Sequence, residues 1–138
     1  MMKKENNKIT DEKLIRLARD VSVNSYSPHS RFRVGAAILT EDNKVFTGTN
    51  VEFDSFSLTI CAERAALFSA VSSGYRKFSK IAIAVSTDEI KYPCGLCRQA
   101  LAEFSPDMTV ILSYGKKICK IKLNKLIPLL FKLDRNKR

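Results

Sequence analysis

The chain has 138 residues, 45% of them hydrophobic, which suits one compact core and leaves little room for a second. Its formal net charge is +10, yet residues 116–138 hold nine basic side chains against Asp134 alone, so the body is nearly neutral. The apolar runs are too short for a membrane span and residues 1–15 lack a signal-peptide core, so a soluble, cytoplasmic protein without membrane partners is expected.

Residues 1–9 read as a loose polar arm. After them Leu14, Leu17, Ala18 and Val21 recur at helical spacing behind the acidic pair Asp11 and Glu12, which predicts a first helix. Residues 24–30 read as a loop, and residues 32–40 as an apolar strand. Residues 41–44 form a predicted hairpin turn, with a second strand over 45–50. The alanine-rich stretch 59–73 suits a buried helix stopped by Gly74. Residues 81–85 are a continuous apolar strand of the kind buried on both faces. A helix is expected over 95–104, two strands over 108–112 and 118–123, and a short terminal helix over 126–131. The result is an α/β layered fold, a mixed sheet of about five strands flanked by helices. We read residues 1–138 as a single domain with its loose arm and a basic tail over 132–138. No aromatic side chain interleaves with the final Lys and Arg residues to stack bases, so the tail reads as a solvated end and nucleic acid is not an expected partner.

The chemistry concentrates in two segments. There are four cysteines, and without an export signal reduced thiols are expected rather than disulfides. Cys61-Ala62-Glu63 opens one predicted helix, and Pro93-Cys94-Gly95-Leu96-Cys97 opens the next. At a helix N-terminus the unpaired N–H groups and the dipole favour thiolate, the form that binds metal. Cys94 and Cys97 lie three apart and face one way on a helical turn. Three thiolates fill three corners of a tetrahedral Zn²⁺ site and leave the fourth for water, the arrangement of a catalytic zinc. Glu63, not needed as a ligand, then moves protons. Alone, each residue has a plainer reading: Cys61 as a small buried hydrophobe, Glu63 as a first-turn acid, the Cys-x-x-Cys pair as a redox or structural site. Arg64 is either a helix-surface cation or a counter-charge, since Zn²⁺ with three thiolates carries a net −1. Cys119 alternates with Ile121 and Leu123 and reads as core, and His29, in a polar loop, is not expected to bind metal.

The two segments together are the established signature of zinc deaminases. From Leu14 to about Phe131 the chain resembles the small homotetrameric cytidine deaminases. Tyr26-Ser27-Pro28, Phe32-Arg33-Val34-Gly35-Ala36-Ala37, Thr47-Gly48-Thr49-Asn50-Val51-Glu52, Cys61-Ala62-Glu63-Arg64 and Pro93-Cys94-Gly95-Leu96-Cys97-Arg98-Gln99 carry the likeness. The resemblance implies one Zn²⁺ per chain held by Cys61, Cys94 and Cys97, and hydrolysis of a free cytidine or deoxycytidine to the uridine form and ammonia. It implies that Glu63 takes a proton from the water zinc activates, that hydroxide adds to C4 of the pyrimidine, and that Glu63 returns protons to N3 and the leaving amine. It further implies that Asn50 and Glu52 bind the ribose 3′-hydroxyl, Phe32 packs on the base and the Ala62 backbone holds the pyrimidine edge. Phe131, in Ile127-Pro128-Leu129-Leu130-Phe131, would reach into a neighbouring subunit's site. Plainer readings are a turn residue for Asn50, a solvated acid for Glu52, and packing for Phe32 and Phe131. One departure stands out: where the family reads Asn-Ala and then Tyr, this chain has Phe53-Asp54 and then Phe56, so a hydroxyl is missing at the sugar end.

Two other readings compete. A deaminase of a modified cytosine nucleoside such as blasticidin S shares the zinc segments, while Arg64 and the Asn50/Glu52 pair favour cytidine. A zinc-stabilised RNA-binding module would keep the cysteines but needs neither Glu63 nor an open zinc position.

Overall fold

In the computed structural model, which describes residues 7–135, the Thr10 side chain caps the first helix by accepting the Lys13 amide at 3.2 Å. Helix α1 (Asp11–Ser22) places Asp11 and Glu12 in its first turn and buries Leu14, Ile15 and Ala18. Strands β1 (Val34–Thr40) and β2 (Val45–Thr49) form the expected hairpin, its turn made by Asn43 at φ 64°. A 3-10 turn (Phe56–Leu58) leads to α2 (Ala62–Ser72), then β3 (Phe78–Val85), α3 (Gly95–Phe104), β4 (Thr109–Tyr114), β5 (Lys117–Lys122) and α4 (Leu123–Leu126).

The five strands form one mixed sheet in the order β2-β1-β3-β4-β5. Only β3 and β4 run parallel, joined by the crossover through α3; the other neighbours are antiparallel. Every residue of β1 is buried, because α1 covers one face of the sheet and α2 with α3 the other. Ala37 and Leu39 pack on Leu14, Ile15 and Ala18, whereas Ala36 and Ile38 pack on Ala62, Ala66 and Leu67. Period-two alternation thus feeds two apolar layers.

Two glycines set the depth of this packing. A Cβ on Gly35 would lie 1.9 Å from the Ala18 carbonyl oxygen in α1, and one on Gly48 would lie 2.4 Å from the Ala66 nitrogen in α2. Both helices therefore rest on bare backbone.

The structure corrects several boundaries, among them the start of β3, which lies at Phe78 rather than at residue 81. The terminal helix expected over 126–131 ends at Leu126: Ile127, at φ −140° and ψ 70°, precedes Pro128, whose ring excludes the helical conformation from the residue before it. Helix α2 begins at Ala62 rather than at residue 59, because Ile60 pairs with Val51 in an isolated bridge and keeps the chain extended through Cys61. Part of the arm expected to be loose is tied down: Asn43 Nδ2 donates to the Asn7 carbonyl at 2.6 Å and Asn43 Oδ1 accepts the Ile9 amide at 2.9 Å. The rest of that arm, residues 1–6, and the tail end, residues 136–138, lie outside the described residues. No helix among the described residues is long and apolar enough to cross a membrane.

Candidate metal centre and active site

The extended backbone before α2 and α3 delivers both thiol segments to one end of the sheet. Cys61 and Cys94 are the N-cap residues of α2 and α3, with extended ψ of 153° and 164°, and neither side chain caps its own helix. Their sulfurs are free to turn towards each other. Cys61 Sγ and Cys94 Sγ lie 3.7 Å apart, and all three sulfurs of Cys61, Cys94 and Cys97 lie within 4.8 Å of one another. A Zn–S length of about 2.3 Å puts neighbouring sulfurs of a tetrahedral site about 3.8 Å apart, so the donor set and spacing suit Zn²⁺. The thiols differ in exposure: Cys97 is buried, Cys61 half-buried and Cys94 exposed.

The hydrogen bond between Cys97 and Cys61 divides their acidity. It is the largest influence holding the Cys61 thiol down, to about 5, with Arg64 adding to it, and it pushes the Cys97 thiol up together with burial. Arg64 Nη2 lies 3.7 Å from Cys61 Sγ, while its buried Nε has no hydrogen-bond partner among the described residues. The guanidinium thus turns one edge towards the Cys61 sulfur while the side chain as a whole stays partly exposed.

Glu63 follows on the first turn of α2 and is 5% exposed. Burial raises its carboxyl pKa, opposed by a hydrogen bond with Cys97. Beside it opens a cavity of about 300 Å³, lined among others by Phe32, Asn50, Glu52, Cys61, Ala62, Glu63 and Cys94. That volume is at the lower end for a small-molecule site.

Asn50 and Glu52 reach the cavity from the segment after β2, and both are partly occupied. The Asn50 amide oxygen accepts the Val34 amide at 2.9 Å and the Ser25 hydroxyl, and its nitrogen donates to the Phe32 carbonyl at 2.7 Å. One Nδ2 hydrogen remains. Glu52 Oε1 accepts the His29 and Ser30 amides, each at 3.0 Å, and hydrogen bonding from the Ser30 side chain and then its amide does most to hold the carboxyl below its usual range. Glu52 is half-buried, between the plain solvated acid and a carboxylate closed from water. Ala62, fully buried, is the first residue of α2, so its N–H is one of the helix's unpaired donors.

Phe131 stands apart. It does not line this cavity; it is 67% exposed, and its carbonyl accepts Gln99 Nε2 at 3.1 Å on the outer side of α3. His29 lies 3.2 Å from Asp54 and edge-on to Phe56, away from the sulfurs, and Cys119 packs against the core as expected. Sequence reasoning missed Ser25, which anchors Asn50, and Lys91 and Tyr92, which line the cavity just before Pro93. Their position next to a quoted motif was the only available signal.

With this geometry in view, the family model for the cytidine and deoxycytidylate deaminase zinc-binding region matches residues 8–113. The chain belongs to this family. A cytidine deaminase of Sporosarcina psychrophila is 43% identical over 119 residues, covering 85% of this chain and 88% of its own. The crystal structure of cytidine deaminase from Burkholderia pseudomallei superposes with a TM-score of 0.85 at 41% identity, covering 88% of this chain and 99% of that one. A blasticidin-S deaminase of Bacillus cereus is 32% identical, covering 86% of this chain and 90% of its own. Deaminase relatives therefore span almost the whole chain, and zinc is the cofactor that the three sulfurs fit.

Proposed function

We propose that this chain is a zinc-dependent hydrolase converting cytidine or deoxycytidine to uridine or deoxyuridine and ammonia, in pyrimidine salvage in the cytoplasm. The observation that carries the reading is the convergence of three sulfurs within 4.8 Å of one another beside a buried Glu63, with Cys61, Cys94 and Glu63 lining one cavity and Cys97 buried behind it. Held by Cys61, Cys94 and Cys97, Zn²⁺ supplies the Lewis acidity that makes water a nucleophile at neutral pH. Glu63, kept from bulk water, holds and moves the protons that the amine and the ring nitrogen need. Arg64 offsets the negative charge of the thiolates.

The same reading gives the sugar to Asn50 and Glu52, the base to Phe32 and the Ala62 N–H. The one N–H left on Asn50 and the remaining acceptor capacity of the Glu52 carboxylate supply a donor and an acceptor to a 3′-hydroxyl. A substrate esterified at that oxygen would bring no hydroxyl to donate to Glu52 and would crowd the carboxylate, which disfavours nucleic-acid chains. The whole chain acts as one catalytic domain and as a homotetramer, with Phe131 closing a neighbour's site. A modified nucleoside such as blasticidin S is not favoured, given 32% identity to that relative against 43% to a cytidine deaminase. Zinc analysis of the purified protein, with loss of cytidine absorbance as the assay, tests the reading. About one zinc per chain and turnover are expected; a metal-free protein or an inert one refutes it.

A further inference from the structure

Of the three sulfurs, Cys94 is the one that packing does least to hold. Cys97 is buried in α3 and Cys61 is half-buried under Arg64, whereas Cys94 is exposed. What orients an exposed N-cap side chain is its backbone. The Pro93–Cys94 peptide is a rigid plane, so its tilt sets where the Cys94 Cα–Cβ bond points. One end of that plane is gripped: Arg98 Nε donates to the Pro93 carbonyl at 2.7 Å.

The same guanidinium reaches the C-terminal segment. Arg98 Nη1 donates to the carbonyl of Leu126, the last residue of α4, at 2.8 Å. That carbonyl is one of the helix-end acceptors that need an outside partner. Arg98 therefore spans two backbone acceptors with the fixed fork of its guanidinium, which a lysine or glutamine cannot reproduce. Its neighbour Gln99 also grips the C-terminal segment, but only at the Phe131 carbonyl and without a bond to the cysteine loop.

We propose that Arg98 is a positioning residue for the zinc site: it fixes the Pro93–Cys94 peptide against the C-terminal segment and so aims the Cys94 sulfur at the metal. The proposal rests on the zinc reading above, and the two fail differently, since a protein that binds no zinc refutes that reading while a normal zinc site in the Arg98 variants refutes only this one.

The experiment compares the zinc-loaded wild type with Arg98→Gln, Arg98→Lys and Gln99→Ala. Release of zinc to excess chelator is followed with a metal indicator, and the visible thiolate bands are recorded for cobalt-substituted protein. Arg98→Gln is expected to release zinc about 10-fold faster, the low end for losing a partner that orients a metal ligand, with altered cobalt bands and a fall in kcat rather than a rise in KM. Arg98→Lys, able to keep one of the two bonds, is expected between the two, and it carries the test if the glutamine variant does not fold. Gln99→Ala is expected to release zinc at the wild-type rate. Wild-type release and wild-type cobalt bands in both Arg98 variants, even with a lowered Tm, would overturn the proposal and leave Arg98 as a docking residue for the C-terminal segment. Equal acceleration in Gln99→Ala would overturn it too, because loosening the C-terminal segment would then account for the effect.

Discussion

Glu63 shares the first turn of α2 with the Cys61 cap and is closed from solvent, so exchanging its carboxyl for an amide keeps size and packing while removing the proton carrier. Glu63→Gln is expected to retain zinc and fold and to lose at least about 10²-fold in turnover, the low end for a positioned general acid/base. Steady-state kinetics alongside metal analysis checks this, and near-normal turnover would reduce Glu63 to a first-turn acid. At this scale the sequence was legible for residues whose chemistry is announced by spacing: the sulfurs of Cys61, Cys94 and Cys97 cluster, and Cys61, Cys94 and Glu63 line one cavity. It was not legible for Ser25, whose hydroxyl holds the Asn50 amide from 25 positions away, because its place beside Tyr26-Ser27-Pro28 marks the loop but not the distant partner.

Among elements, the seating of α2 on β2 decides where Cys61 and Glu63 stand. A methyl on Gly48 meets the α2 backbone at Ala66, which cannot swing aside as a side chain would, so the helix must move. Gly48→Ala is expected to cost about 1–3 kcal/mol in denaturant unfolding and to reduce turnover more than zinc content. On the opposite face, Asp11 ties α1 to the sheet through Lys80 and Lys120, each at 2.6 Å. Hydrogen bonds from Lys120 and then Lys80 lower its carboxyl pKa below the ordinary 3.8. A carboxyl held lower in the folded chain than in the unfolded one stabilises the fold above the ordinary value, and that contribution is lost as the pH falls through the folded value. With Lys120 half-exposed, solvent screening limits the gain to no more than about 1 kcal/mol. Asp11→Asn is therefore expected to lower the unfolding free energy at pH 7 by up to that amount, and the gap to the wild type should close in acid below the ordinary carboxylate range. A gap that persists in acid would point to lost packing instead.

For the molecule as a whole, the open question is assembly. The single chain leaves Leu129 fully exposed, Phe131 67% and Leu133 60% exposed, an apolar strip that one copy does not cover. If a neighbouring subunit covers it, truncation after Pro128 should weaken the tetramer and raise KM while zinc stays bound, since Leu126, which Arg98 grips, is retained. Removal of residues 136–138 alone should change neither. Light scattering with kinetics at matched concentration checks both, and a fully active monomer would remove the shared site and the role given to Phe131.

Periodicity and composition by themselves determined most of the elements and the two thiol segments, because those features are written in nearest-neighbour spacing: the apolar run of β1, the alanine face of α2, the Cys-x-x-Cys at the start of α3. The helix expected over residues 126–131 failed where an apolar run was weighed above Pro128, whose ring acts on Ile127 whatever the hydropathy around it. Only the tertiary structure decided how Arg98 bridges the Pro93 and Leu126 carbonyls, that Asn50 spends most of its amide on the chain beside it, and that Phe131 lies outside its own chain's cavity. The physical reason is that each depends on where the sheet and its two helical layers place segments distant in sequence, Leu126 beside Arg98 across 28 positions and Val34 and Phe32 beside Asn50 across 16 and 18, and residue type alone carries no record of that placement.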